Sequence, residues 1–269
     1  MTLAFIPPPP FPSLQVGPIE VRMYALLLTV AAVAAVVWGR RRYLARAGGD
    51  PEVVDRTAFA VAVAILVGSR FAYVTGNWGQ FSQDPRTALF SWRGGLAIYG
   101  GIALAAVVGV WLARRYGLST SDGFDAAAAV LPAASAIGRF GNYFNQEVYG
   151  LPTELPWALH VEPQYRMSGY ARFETFHPTF LYEVLADLLV LGVVLWVDRH
   201  RSLRRGSLFL VYLIGYGGFR FLIELIRIDT TVRIFGLSRN AYGSLAAVLI
   251  GAIGLWLFNR GTGTGESRT

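Results

Sequence analysis

The chain has 269 residues, 54% of them hydrophobic and only 15% charged, with a mean hydropathy of +0.44. A soluble domain carries about 25% charged residues, so the composition argues against an ordinary soluble enzyme and against a disordered chain. The net charge of +7 comes from 24 basic residues, all arginine, and in so apolar a chain it reads as a membrane-orientation signal rather than a nucleic-acid footprint. The absence of cysteine excludes disulfides, thiolate nucleophiles and Cys-ligated metals.

Residues 1–20 have no basic leader, and Pro7–Pro10 would break an apolar helix, so this stretch reads as a Pro-rich outer arm and not a signal peptide. A membrane span needs about 20 mostly apolar residues. Met23–Gly39, Gly94–Ala113 and Asn240–Asn259 meet this without a formal charge. Thr57–Tyr73, Phe124–Phe140, Pro178–Val197 and Ser207–Arg227 meet it if each tolerates ionisable groups. The expected fold is therefore all-α and polytopic, with seven transmembrane helices. With the N-terminus outside, the inward segments hold 13 arginines and the outward segments 6, which predicts N-out and C-in. Residues 1–260 read as one transmembrane catalytic domain, 146–176 as a small outer head, and 261–269 as a flexible cytoplasmic tail. No internal repeat is visible, which weighs against a transporter built from inverted halves.

A charge at the centre of a span costs roughly 2.5–3.5 kcal/mol, so buried charges need a reason. With this orientation, Tyr24, Arg70, Tyr99, Arg139, His177, Glu183, Arg220, Glu224 and Arg227 all fall toward the outer face, while Asp125 and Asp187 are inner exceptions. An ion pathway would spread polar groups through the whole thickness. A cluster in one leaflet suits a lipid headgroup. Tyr216, Arg220, Glu224 and Arg227 form one helical stripe. An internal salt bridge would explain Glu224, but one acid cannot neutralise two arginines. Gly138–Gly150 combines Arg139, Asn142, Asn145 and Glu147, donors and acceptors suited to phosphate and hydroxyl groups, where a helix cap alone would need only one Asn. Trp92–Gly101 brackets Tyr99 with the paired glycines Gly94, Gly95, Gly100 and Gly101. Close helix packing is the simpler account of those glycines. His177–Glu183 begins a helix with Pro178 at its first position, and His177 reads as a residue of that helix start rather than a metal ligand.

Together these four elements resemble the bacterial prolipoprotein diacylglyceryl transferases. Gly138, Arg139, Gly141, Asn142, Asn145, Glu147 and Gly150 are in register with that family's signature, and Tyr216–Phe221 with Glu224 and Arg227 is similar to a later motif. Gly68–Tyr73 with Arg70, and Asp125 before Arg139, also fit. The match runs from about Ile19 to Gly251. Tyr143 stands where the signature usually has phenylalanine, and Tyr99 where some members carry a histidine.

The resemblance implies transfer of the sn-1,2-diacylglyceryl group from phosphatidylglycerol to the lipobox cysteine of a prolipoprotein, at the bacterial plasma (inner) membrane. It implies no metal or organic cofactor. The partners would be those two substrates and membrane lipids, with no nucleic acid. On this reading Arg139, Arg220, Tyr99 and Glu224 are catalytic. Arg139 and Arg220 bind the phosphate, and Glu224 holds Arg220 and Arg227. Tyr99 either takes the thiol proton or hydrogen-bonds the substrate, and the second is favoured because an ordinary phenol is a poor base at neutral pH. Asn142 and Asn145 orient the headgroup, and Glu147 is either a second orienting acid or a peptide contact. Arg227, Tyr24, Arg70, Gly94, Gly95, Gly100, Gly141, Gly150 and His177 complete the expected substrate site. The competing reading is an anionic-lipid transporter or a lipid-binding membrane protein without chemistry.

Overall fold

The computed structural model describes residues 5–89, 95, 97–229 and 233–260. Gly94 and the tail 261–269 lie outside the described residues. In chain order the elements are β1 (Ser13–Val16), β2 (Ile19–Arg22), α1 (Met23–Ala47), α2 (Pro51–Gly76), α3 (Trp78–Phe81), α4 (Ile98–Arg115), α5 (Thr120–Phe144), β3 (Leu159–His160), β4 (Thr175–Phe176), α6 (Thr179–His200), α7 (Ser207–Ile226), β5 (Arg233–Ile234), β6 (Leu237–Ser238) and α8 (Arg239–Arg260). The protein is mostly helical. Among the described residues six helices, α1, α2, α4, α6, α7 and α8, are long and apolar enough to cross a membrane. Their outer faces carry exposed Phe71, Val107, Leu188 and Leu249, surfaces that lipid would solvate. This is the architecture of a multi-pass membrane protein. The α5 helix has 25 residues but carries Asp122, Asp125 and Arg139, and it is not one of the six.

Helices overrun the apolar windows that predict them. The α1 helix continues through Arg40-Arg41-Arg42 to Ala47, because arginine is a good helix former and the end of the apolar run marks lipid, not helix. The α2 helix starts at Pro51 rather than Thr57. Its cap Asp50 accepts the Glu52 N–H, and Pro51 occupies a position that needs no donor. The strands depart from the all-α expectation. Among the described residues three two-stranded antiparallel ladders lie outside the long helices: β1–β2 ahead of α1, β3–β4 between α5 and α6, and β5–β6 between α7 and α8. The Pro-rich N-terminal arm is thus partly a hairpin, pairing Ser13 with Arg22 through Val16 with Ile19 and turning at Gly17 with φ +59°.

The chain divides into two compact units, one of residues 36–126 and one combining the residues up to 35 with those from 127 onward. In the first, α2 packs on α4 through glycine. A methyl group at Gly68 would lie 2.7 Å from Leu104 Cβ and would also meet the Gly100 carbonyl, so only glycine lets these helices approach so closely. Arg46 pairs with Asp125 at 3.0 Å and with Asp122 at 3.7 Å, which accounts for the two buried acids at the start of α5.

In the second unit α7 packs between α6 and α8. Gly217 faces the Ser244 carbonyl and Gly251 the Leu210 carbonyl, each 2.7 Å from where a methyl carbon would be. In the 146–176 segment, Tyr149, Leu159, Val161 and Phe176 form one apolar cluster with Phe180 of α6, and Ile6, Met167, Tyr170 and Phe173 pack against it. Ile6 pairs with Leu159, so the Pro-rich segment is joined to residues 146–176 by backbone hydrogen bonds.

Candidate active site

Three arginines and three acids from α5, α6 and the end of α7 form one network in the second unit. Arg139 of α5 pairs through Nε with Glu183 of α6. Arg220 of α7 reaches Glu183 Oε1 at 3.0 Å with Nη1, and Glu224 Oε2 at 2.7 Å with Nη2. Arg227, at the C-cap of α7, reaches Glu183 Oε1 at 3.5 Å and pairs with Asp229 through both Nε and Nη2. Glu183 and Glu224 side chains are 4% and 1% exposed. Burial alone would push the Asp229 carboxyl up, but its bonds to Arg227 hold it below the usual carboxylate range. Ser238 donates to Glu224 Oε1 at 2.7 Å, tying the start of α8 to the same acid. A cleft lined by Arg139, Glu183, Asp187, Tyr216, Phe219 and Arg220 opens beside the network. Asp187 is buried, and its Oδ2 has no hydrogen-bond partner among the described residues.

This arrangement changes how the charges balance. Arg220 and Arg227 do not share a single acid. Glu183 and Asp229 supply the missing charges, and three arginines face three carboxylates. The sequence reading assigns no role to Glu183 or Asp229, although Glu183 is the hub. A carboxylate in an apolar span at the same depth as several arginines is the available signal. Asp229 follows the last turn of α7, where only proximity in space reveals the pairing.

The Gly138–Gly150 run leaves α5 and turns back against the start of α6. Asn142 and Asn145 both donate to Glu147 Oε1, at 3.0 and 3.1 Å. The amides therefore hold the acid, and the three act as one group. Gln146 and Val148 adopt positive φ, +50° and +63°, and Val148 is a β-branched residue that rarely does so. The Thr179 hydroxyl donates to the Val148 carbonyl. Gly150 N–H donates to the His177 carbonyl at 2.9 Å, and Leu151 N–H to the Ile226 carbonyl at 2.8 Å. A methyl at Gly150 would meet His177 Cβ at 2.9 Å and the Ile226 carbonyl at 3.0 Å, so glycine is required where the signature passes between α6 and α7. Gly141 similarly admits the Tyr24 ring, which lies 2.6 Å from where a methyl carbon would be. His177 contacts the Tyr182 hydroxyl at 3.1 Å, which also accepts from Trp157. Burial pushes the imidazole pKa down, which favours the neutral ring.

The remaining expected site residues belong to the other unit. Arg70 donates to the carbonyls of Thr87, Ala88 and Gly95 at 2.7–3.1 Å, and its guanidinium lies by the rings of Tyr73 and Phe81. It holds those three residues in place ahead of α4. Gly95 has φ +85° and packs under Tyr73, while Gly100 sits at the α2–α4 crossing, both as close packing predicts. Tyr99 is exposed in the first turn of α4.

Residues 12–257 match the family described as prolipoprotein diacylglyceryl transferase. A protein of Rhodococcus jostii named phosphatidylglycerol–prolipoprotein diacylglyceryl transferase is 41% identical over 268 residues, covering 93% of this chain and 74% of its own. Similarly named proteins of Streptomyces coelicolor and Frankia alni are 39% and 43% identical, each covering 94% of this chain and 80% and 67% of their own. The extent of the match and the identity of these relatives place the chain in the prolipoprotein diacylglyceryl transferase family.

Proposed function

We propose that this protein transfers the sn-1,2-diacylglyceryl group of phosphatidylglycerol to the lipobox cysteine sulfur of a prolipoprotein, forming a thioether and releasing glycerol phosphate. The family membership and the names of the relatives support the reaction. The observation that carries the chemistry is the set of Arg139, Arg220 and Arg227 drawn from separate elements around Glu183.

The reaction makes one bond and breaks one. The thiol loses its proton to water, sulfur bonds to glyceryl C3, and the C3–O bond breaks with its electron pair leaving on phosphate, so that the released proton balances the added negative charge. A phosphodiester of charge −1 becomes a monoester of charge −2. Guanidinium groups in a water-poor site stabilise that growth in charge and favour thiolate over thiol. Arg139 and Arg220 are assigned to the phosphate, being the two arginines that line the cleft. Glu183 and Glu224 act as positioning residues that fix those guanidiniums, and Asp229 does the same for Arg227. Asn142, Asn145 and Glu147 are assigned to orienting the headgroup as one unit. Tyr99 keeps its assigned hydrogen bond to substrate on the resemblance alone.

The topology belongs to the same proposal. The α5 helix is taken as a seventh span, its length supporting this and its acids lying near one end. Residues 1–260 act as one catalytic domain in the bacterial plasma membrane, N-terminus out and C-terminus in, with the arginine network in the extracytoplasmic half. The arginine bias of the connecting segments supports that orientation.

The test is purified protein in nanodiscs containing phosphatidylglycerol, supplied with a lipobox peptide and read by mass spectrometry. A diacylglyceryl thioether on the peptide is expected, and none on a Cys→Ser peptide or in nanodiscs of phosphatidylcholine alone. Saturable phosphatidylglycerol binding with no thioether would overturn the proposal in favour of a lipid-binding protein. Tyr99→Phe with full transfer would remove Tyr99 from the site.

A further inference from the structure

The connection between α7 and α8 carries a feature that the transfer reaction does not use. Strands β5 and β6 pair Arg233 with Ser238 and Ile234 with Leu237, leaving a two-residue turn of Phe235 and Gly236. Both turn residues have positive φ, +47° and +81°. That is the primed turn favoured in hairpins, where Asn-Gly is the ordinary sequence. Phenylalanine in this conformation is an outlier, and outliers point to function rather than to folding. Phe235 is also 97% exposed, with Ile234 at 52% beside it. A folding role does not explain an aromatic ring held in an unfavourable backbone conformation and left uncovered.

The geometry says what meets it. Both α7 and α8 are long and apolar enough to span a membrane, and only residues 227–238 join them. Such a connection leaves and re-enters the same membrane face. The hairpin also folds back rather than projecting away. The Tyr242 hydroxyl, in the first turn of α8, donates to the Ile234 carbonyl at 2.9 Å. Arg233 donates to the Gly236 carbonyl and to the Arg227 carbonyl, each at 3.3 Å. Ser238 at its base is buried against Glu224. The tip is therefore held level with the helix ends, where headgroups meet acyl chains. The exposed Arg233 and Arg239 beside it suit anionic headgroups, and Tyr242 is a residue type enriched at that depth.

We propose that the 233–238 hairpin is a membrane-interface anchor whose tip, Phe235 with Ile234, is immersed in the headgroup–acyl boundary of an anionic leaflet. Through Arg233, Arg227 and the Ser238–Glu224 bond, it fixes the depth of the C-terminal turn of α7 relative to lipid. The inference rests on α7 and α8 crossing a membrane and not on the reaction proposed above.

The absence of cysteine makes the test direct, since one introduced thiol carries one probe. Full-length Phe235→Cys is labelled with a nitroxide and placed in nanodiscs of phosphatidylglycerol and phosphatidylethanolamine. Collisions with oxygen, which concentrates in lipid, are compared with collisions with a water-soluble nickel chelate. Glu154→Cys, exposed in the head, and Leu249→Cys, exposed in mid-α8, calibrate water and lipid. The expected result is an oxygen-to-nickel ratio at 235 well above that at 154 and shifted toward that at 249. A ratio equal to that at 154 overturns the proposal, and so does protection from both reagents, which would mean a protein partner. Ile234→Cys gives the same reading should the 235 variant not fold. Transfer activity is not the readout, so failure here is separate from failure of the enzymatic reading.

Discussion

Glu183→Gln is the most informative single change in this protein. Glu183 accepts from Arg220 at 3.0 Å, lies 3.5 Å from Arg227 and pairs with Arg139. Gln keeps the shape and one acceptor oxygen, but removes the charge and turns an amide donor toward guanidinium N–H groups. Breaking a buried pair from one side costs about 3–5 kcal/mol. Arg220 retains Glu224 at 2.7 Å and Arg227 retains Asp229, which puts the loss at the lower end, about 3 kcal/mol. At about 2–4 °C per kcal/mol for a chain of this size, that is a fall in Tm of about 6–12 °C. Arg139 is affected most, because among the described residues Glu183 is the carboxylate paired with it. A misplaced catalytic group costs about 10²-fold in rate, so transfer should fall by about that factor. Thermal unfolding in detergent, followed by tryptophan fluorescence, reads the first effect, and the thioether assay reads the second. Glu224→Gln should be milder in rate, since Arg220 keeps Glu183. A Glu183→Gln protein with parental Tm and parental transfer would refute the idea that Glu183 holds the arginines.

Arg220→Lys cannot span Glu183 and Glu224 with one ammonium. Losing one charge-assisted hydrogen bond of about 1.5–3 kcal/mol should lower kcat/KM by about 10- to 100-fold, and an unchanged value would argue that a point charge suffices. Gly141→Ala sets a methyl 2.6 Å from Tyr24 Cδ2 and should destabilise by about 1–3 kcal/mol; if the clash is the cause, Tyr24→Ala in the same chain restores part of the loss, and a purely additive double variant counts against it. Asp229 is held below the ordinary carboxylate range in the folded state, so its contribution to stability is complete above the unfolded value of about 3.9 and disappears as pH falls through the folded value. Asp229→Asn should therefore be less stable than the parent at pH 7, with the gap beginning to narrow below about pH 4 and closing once pH falls below the folded value; a gap that does not narrow in acid would assign the effect to something other than the charge.

How much of this is legible in the chain depends on which physical signal a residue carries. Apolar runs locate every long helix, because about twenty apolar residues in a row have few other uses. They do not locate helix ends, which Asp50-Pro51 and the arginines after Gly39 decide by capping and propensity. The strands escape because they are only two to four residues long and lie outside the spans, where no long apolar run marks them. At the site, Arg139, Arg220, Glu224 and Arg227 are visible from their cost in a span and from their helical spacing. Glu183 carries the same cost, but its role as hub emerges only once α5, α6 and α7 are assembled. Asn142, Asn145 and Glu147 read as three ligands for substrate, yet they first satisfy one another, a local pairing that composition alone does not reveal.

The internal neutrality of the network bears on how it could serve the proposed reaction. Three free arginines in a span would be prohibitive to insert and would bind any anion, product included. Three arginines matched by Glu183, Glu224 and Asp229 are tolerable in lipid, and they present oriented N–H groups rather than net charge. Arg139 reaches Glu183 through Nε, and its terminal amino groups belong to the same guanidinium that lines the cleft. A phosphodiester of charge −1 gains modestly from such a field. The leaving phosphate, moving toward −2, gains more, because fixed dipoles respond to charge that develops after they have been set in place. Acids that look like competitors of the phosphate are then what make the site discriminate between its ground state and its transition state. On that logic, replacing Glu183 by Gln should strengthen retention of glycerol phosphate while slowing transfer, a divergence that a simple anion pocket would not produce.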